Sequence, residues 1–299
     1  MIAPEAMSER SIPGLSASLK ARLRLLFRVL GVLSPALAAR LALRLFITPV
    51  ARPPSAEESA FLATAHARVL ATSHGRIQTY EWGATGPTVL VVHGWISHTG
   101  RLRHAIAALC ASGFRVVAFD GPGHGRSSGR YADLHAFRDC AAAVVAEFGP
   151  ASAILAHSFG AFAVALWLAE ATPPDLRAAV LVGMPQSVGY ILESFTIAMA
   201  LAPKVIERVR ALFYRRYGAW PELYEAGALA AQIRLPVLLV HGAADEFVPL
   251  AQANATYQRL PQGELSIRPH LKHSAPLSDA ASLQIITGFL RRHMPGSLQ

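Results

Sequence analysis

Five apolar runs in this chain end on residues able to do chemistry. "TVLVV" is followed by His93-Gly94-Trp95, "VVAF" by the segment Asp120 to Ser127, and "AILA" by His157-Ser158-Phe159-Gly160. "VLLV" leads into "HGAADEFVP", His241 to Pro249, and "LSIRP" into "HLKHSAPL", His270 to Leu277. A serine hydroxyl is a poor nucleophile at neutral pH unless a neighbouring base takes its proton. Ser158, Asp245 and a histidine (His270 or His273) stand in the chain order Ser…Asp…His, each just beyond an apolar run. That is the order of a hydrolytic triad on a parallel sheet, where chemistry gathers beyond the C-terminal ends of strands.

Ser158 carries the sharpest local signal. Ala153 to Ala156 are small or aliphatic and read as a buried strand, whereas "FGAFAVALWLAE" has the length and alanine content of a helix. A serine at so abrupt a strand-to-helix turn has its hydroxyl lifted clear of the sheet, beside the N–H groups that open the helix. Strand and helix nearly touch there, so only small residues fit two places either side, and these are Ala156 and Gly160. An ordinary N-cap serine fits the same nine residues, "ILAHSFGAF". The stretch alone does not separate the two.

The elements that must position these residues follow from hydrophobic patterning. "RVLAT" and "RIQTYEW" flank a Ser-His-Gly turn and read as a hairpin. Helices are expected over Gly100–Ser112, Leu134–Phe148, the segment after Ser158, near Leu250–Leu260, and at the C-terminus. Apolar strands alternating with helices imply a mostly parallel central sheet with helices on both faces. Residues 184–232 break the alternation with further helical stretches.

Ahead of the sheet, residues 1–14 are expected to be disordered. From Ser16 to Leu33, Lys20, Arg24 and Arg28 recur every four residues beside Leu19, Leu23, Leu26, Leu30 and Leu33, the pattern of an amphipathic basic helix. Ser34-Pro35 opens a second helix to about Ile47. Ser55 with Glu58 forms a capping box for a short helix to about His66.

Composition narrows the class. Of 299 residues, 53% are hydrophobic and 16% charged, which suits a globular chain with a large core. The net charge is +9, but residues 1–56 hold Arg10, Lys20, Arg22, Arg24, Arg28, Arg40, Arg44 and Arg52 against Glu5 and Glu9. The remainder is nearly neutral and has no basic stripe interleaved with aromatics, which argues against nucleic-acid binding. Cys110 and Cys140 lie in apolar helical patterns; free thiols are expected. No histidine or cysteine spacing suggests a metal, and no cofactor is expected. "GPGHGRSSGR" lacks the G-K-[ST] ending of a phosphate loop. No run is long enough for a membrane-spanning helix. "LLFRVLGVLSPALAAR" has too short an apolar core for a signal peptide, so it is expected to be retained and the protein to be cytoplasmic.

From about residue 68 to 293 the sequence resembles the α/β-hydrolase superfamily, its serine esterases and lipases in particular. The family's G-x-S-x-G is matched with Ala156 in place of the first glycine. "HGW" resembles its oxyanion loop, "FDGPGHGRS" its D-x-x-G-x-G-x-S turn, and "HGAADEFVP" its acid segment. The resemblance implies Ser158 as nucleophile, Asp245 as the acid, and the backbone N–H groups of Trp95 and Phe159 as the oxyanion hole. The family leaves about three residues between its last strand and its histidine, which selects His273 over His270. Asp175 and Asp279 are weaker rivals to Asp245, and Asp120 is expected to be structural; His157 and His241 are expected to pack beneath the site.

The organisation implied is an N-terminal helical arm (1–54), a core (55–183 and 233–299), and a helical cap (184–232). Phe195, Met199, Phe213, Tyr214, Tyr217, Trp220 and Tyr224 are candidates for an apolar acyl pocket in that cap. The implied activity is hydrolysis of apolar carboxylic esters through an acyl-enzyme. Lactone, thioester or C–C hydrolysis, acyl transfer, and non-catalytic ligand binding are the alternatives. The arm is expected to dock its leucines on the cap, with peripheral membrane contact through residues 15–47 as the other reading.

Overall fold

The computed structural model describes residues 16–50 and 52–294, so the disorder expected over residues 1–14 lies outside the described residues. The chain divides into two compact units, Met1–Pro49 with Ser187–Glu225, and Val50–Gln186 with Ala226–Gln299.

The second unit is built on an eight-stranded sheet. Its strands are β1 (His66–Thr72), β2 (Gly75–Trp82), β3 (Thr88–Val92), β4 (Arg115–Phe119), β5 (Ala153–His157), β6 (Ala178–Val182), β7 (Val237–Gly242) and β8 (Gly263–Arg268). Their spatial order is β1-β2-β4-β3-β5-β6-β7-β8. β1 and β2 form the expected hairpin, β2 pairs antiparallel with β4, and every pairing beyond that is parallel. The hairpin turn needs Gly75, whose φ of 111° is open to glycine at little cost.

Every residue of β3, β5, β6 and β7 is buried, as continuous apolar runs require when helices cover both faces. On one face, Val89, Val91, Leu155 and Val180 pack with Ile106 and Leu109 of α4 (Arg103–Ala111) and Ile286 and Phe289 of α11 (Ala280–Arg292). Helices α5 (Leu134–Phe148) and α6 (Phe159–Glu170) pack together on the opposite face, as right-handed crossovers from β4 and β5 dictate. Cys110 on α4 and Cys140 on α5 are free thiols. The chain runs from β3 outward to β4, then back across β3 to β5. This reversal opens the crevice beyond β3 and β5 in which doubly wound sheets carry their sites.

Helix α3 (Ala56–Leu62) opens on the expected capping box: Ser55 Oγ accepts from Glu58 N at 3.2 Å, and Glu58 Oε2 accepts from Ser55 N at 2.8 Å. It ends at Leu62 rather than near His66. His66 pairs with Glu81 and begins β1 two residues earlier than expected, while Thr64 Oγ1 accepts the Trp82 indole N–H at 2.9 Å. Two strand pairings and an indole hydrogen bond outweigh one more helical turn.

The first unit is helical. Its elements are α1 (Ala17–Leu33), α2 (Pro35–Phe46), α7 (Val188–Ala198) and α8 (Pro203–Tyr217), closed by a β-bridge between Ser187 and Glu225. Ser16 and Ser34 cap α1 and α2 with side-chain bonds to Leu19 N and Leu37 N. Ala38, Ala39 and Ala42 of α2 are fully buried with Phe27, Leu192, Met199, Val205 and Val209. Three alanines on one face let the backbones of α2 and α8 approach closely. Arg24 Nε donates to the Ala198 carbonyl at 2.8 Å, and the Phe46 and Phe195 rings meet edge-to-face at 5.4 Å. The arm and the inserted helices thus share one core. The insertion's last helix, α9 (Ala226–Ala230), belongs instead to the sheet unit, against α6 and α10 (Leu250–Tyr257).

Candidate active site

Ser158 sits between the last residue of β5 and the first of α6, with φ 53° and ψ −121°. A non-glycine residue held at positive φ stores strain, and such residues concentrate at functional sites. The turn is fixed from both sides. Ser158 N donates to the Val182 carbonyl of β6 at 2.8 Å, and the Cβ that Gly160 lacks would overlap the His93 carbonyl oxygen. The Ser158 side chain makes no cap bond to its helix. Its Oγ lies 2.8 Å from Nε2 of His273 instead, so the N-cap reading fails.

His273 follows β8 in a loop tied to the acid loop after β7. Ala243 N donates to Arg268 O at 2.9 Å, and Ala244 N to Leu271 O at 3.1 Å. Nδ1 of His273 lies 2.7 Å from Oδ2 of Asp245. A carboxylate can only accept there, so Nδ1 carries the proton and Nε2 is left to accept from Ser158. Asp245 is 1% exposed at its side chain. Burial pushes its pKa up, but the hydrogen bond and charge of His273, with N–H donors from Val248 (2.9 Å) and Phe247 (2.8 Å), hold it below the ordinary carboxylate value. It is therefore ionised at neutral pH and orients the imidazole.

The rivals fall elsewhere. His270 is exposed on the turn after β8 with φ 61°. Asp279 caps α11, accepting from Ser282 N at 2.8 Å. Asp120 is fully buried and accepts from Thr99 N at 2.8 Å, Arg126 N at 2.9 Å and Tyr80 Oη at 3.2 Å. It organises the glycine-rich turn. His157 and His241 are buried against the site: the His157 ring lies 4.8 Å from that of His273, and His241 Nε2 donates to Val248 O at 2.9 Å. Burial first, and the neighbouring His273 second, depress the pKa of His157 to about 3, so it stays neutral.

Beside Ser158, a Cβ on Gly94 would stand 3.0 Å from Cβ of that serine, so the backbone entering Trp95 runs against it. Phe159 opens α6, where a helix leaves its first N–H groups without intrahelical partners. The rings of Trp95 and Phe159 are 5.1 Å apart. The oxyanion-type loop is held by two histidines whose part the sequence did not reveal. His93 Nε2 accepts from Gly121 N at 2.8 Å while its Nδ1 donates to Gly94 O at 2.7 Å. His124 Nε2 accepts from Ile96 N at 3.2 Å while its Nδ1 donates to Pro122 O at 2.9 Å. The His93–Gly121 and Ile96–His124 bonds join the loop after β3 to the turn after β4, and the other two hold each ring within its own segment. Burial lowers His93 to about 4 and His124 to about 3, which keeps both in the neutral form these bonds need.

The residues expected to form an acyl pocket are scattered within the helical unit. Met199 is completely buried and Phe195 packs beside it, both in the core shared with α1 and α2. Met199 therefore does not line an open pocket; the arm occupies its surroundings. Phe213 meets Tyr217 in a tilted pair at 4.4 Å and Tyr224 edge-to-face at 6.1 Å. Tyr214 and Trp220 stack at 4.7 Å and are each about two-fifths exposed. Among the described residues, no three His, Cys, Asp or Glu side chains gather as metal ligands.

Comparison with known proteins agrees with this architecture. Residues 84–219 match the family model described as serine aminopeptidase, S33. The chain is 28% identical to the non-heme chloroperoxidase of Streptomyces lividans over 64% of its own length and 91% of that protein's. It is 26% identical to the bifunctional esterase/perhydrolase DCH of Acinetobacter calcoaceticus over 68% and 91%. The solved structure of the Pyrococcus furiosus esterase Pf2001 superposes with a TM-score of 0.63 at 17% identity, covering 83% of this chain and 98% of that one. With that sheet order and a Ser–His–Asp arrangement at its strand ends, the chain has the α/β-hydrolase fold.

Proposed function

We propose that the protein is a serine hydrolase that cleaves carboxylic esters of apolar acyl or alcohol groups through an acyl-enzyme. The observation that carries this reading is the relay at Ser158: Oγ 2.8 Å from His273 Nε2, and His273 Nδ1 2.7 Å from Asp245. His273 takes the Ser158 proton as Oγ attacks the ester carbonyl, and the imidazolium that forms is stabilised by ionised Asp245. The developing oxyanion is received by the N–H groups of Phe159 and Trp95. Collapse of the tetrahedral adduct breaks the bond to the alcohol oxygen, which leaves with the proton from His273. Water then repeats the sequence on the acyl-enzyme, releasing the acid and restoring Ser158.

The partly exposed rings of Trp95 and Phe159, backed by His124 and Phe137 at 5.2 Å each, give the nucleophile an apolar flank and favour apolar over charged esters. Turnover of p-nitrophenyl esters of graded chain length tests the proposal. We expect hydrolysis that rises from acetate to longer acyl chains and is lost in Ser158→Ala. Absence of turnover across the whole series contradicts it.

A further inference from the structure

Helix α1 has two apolar faces, and the helical unit uses one. Leu23, Phe27 and Leu30 turn into the core shared with α2, α7 and α8. Leu19, Leu25, Leu26, Val29, Val32 and Leu33 recur on the adjacent arc, and all are exposed, Val32 at 81% and Leu33 at 75%. At 100° per residue these six span a continuous stripe somewhat over a third of the helix circumference. Among the described residues of the unit, none covers it. An exposed stripe of this kind marks an interaction surface.

Charge identifies the occupant. Residues 16–49 contain Lys20, Arg22, Arg24, Arg28, Arg40 and Arg44 and no aspartate or glutamate. Arg22 lies within the stripe and Arg28 on its margin, both exposed, and Arg40 and Arg44 are exposed on α2. A second copy of this chain would bring Arg22 and Arg28 against the same two cations, so self-association is opposed. An apolar face bordered by cations alone fits an anionic lipid surface: leucine and valine enter the acyl boundary while arginine stays at the headgroups. No helix among the described residues is long and apolar enough to cross a membrane, so contact of this kind is peripheral. We propose that the outer face of α1 docks this protein on anionic bilayers. This surface is independent of the Ser158 site and of the proposed hydrolase activity.

The test is sedimentation of the full chain with phosphatidylcholine vesicles prepared with and without phosphatidylglycerol. Val29→Gln/Val32→Gln removes apolar surface, and Arg22→Glu/Arg28→Glu reverses charge. All four positions are exposed, so the thermal midpoint of each variant should match the parent and confirm folding. Binding is expected only with phosphatidylglycerol present and should weaken as salt rises. Each double variant should lower partitioning by about tenfold or more. No sedimentation with the anionic vesicles overturns the proposal, as does equal binding to both vesicle types or variants that bind like the parent. Concentration-dependent dimers that Val29→Gln/Val32→Gln dissolves, without vesicle binding, would assign the face to a second copy and likewise overturn it.

Discussion

The backbone N–H of Ile96 donates to Nε2 of His124 at 3.2 Å, tying the residue after Trp95 to the glycine-rich turn beyond β4. Ile96 has φ 51°, a conformation a β-branched residue adopts only when its surroundings hold it there. The bond therefore fixes the backbone that follows Trp95, the residue whose N–H the proposed mechanism uses, without touching substrate.

His124→Phe should lower kcat about tenfold to a hundredfold on a p-nitrophenyl ester with KM nearly unchanged, because the oxyanion is bound only in the transition state. His124→Gln, which retains an acceptor at the right reach, should recover part of the loss. Equal damage by both, or a change confined to KM, would contradict a positioning role.

A second consequence concerns acid stability. His93, His124 and His157 are buried with folded pKa values of about 4, 3 and 3, below the ordinary 6.5. As pH falls below 6.5 the unfolded chain takes up protons that the native state refuses, so stability falls through the window from about 6.5 to about 4. Each histidine contributes a slope of up to about 1.4 kcal/mol per pH unit. Urea unfolding across that window should show the decline, with a shallower slope in His157→Gln. A midpoint that stays level from pH 6.5 to 4.5 would show that these rings charge freely in the native state.

Gly160 and Gly288 make a paired test of packing. A methyl at Gly160 would run into the His93 carbonyl and approach Val92 Cγ1 to 2.9 Å, whereas one at Gly288 meets nothing within 4 Å. Gly160→Ala should destabilise by roughly 1–3 kcal/mol or more. Gly288→Ala, inside α11, should stabilise by about 0.5–1 kcal/mol. Thermal midpoints moving in the same direction would refute the contrast.

The parallel sheet was legible because β3, β5, β6 and β7 are buried on both faces and must be apolar without interruption. The serine turn was legible because its backbone tolerates only small neighbours at Ala156 and Gly160. The choice of His273 over His270 came from family spacing, since the sequence does not display the left-handed turn at His270 that sends its side chain to solvent. The part played by His93 and His124 was hidden for a different reason. Their partners are backbone N–H groups 28 positions away, and a backbone donor leaves no mark in composition. Met199 was expected to line an acyl pocket, because an apolar residue on an inserted helix reads the same whether it faces a cavity or the core that the arm completes.

The two histidines after β8 can be separated directly. His273→Ala should reduce kcat by about 10³ or more, while His270→Ala, on an exposed turn, should leave most turnover intact. Loss of activity in His270→Ala with retention in His273→Ala would transfer the base to His270 and contradict the geometry.

A Ser158 hydroxyl activated as a nucleophile by His273 can be captured by covalent trapping. The protein is treated with a fluorophosphonate, digested, and mapped by mass spectrometry. One phosphonyl adduct is expected on the peptide holding Ser158, abolished in Ser158→Ala and slowed by about 10³ or more in His273→Ala, with thermal midpoints retained. An unlabelled parent protein, or an adduct on another residue that persists in Ser158→Ala, would contradict it.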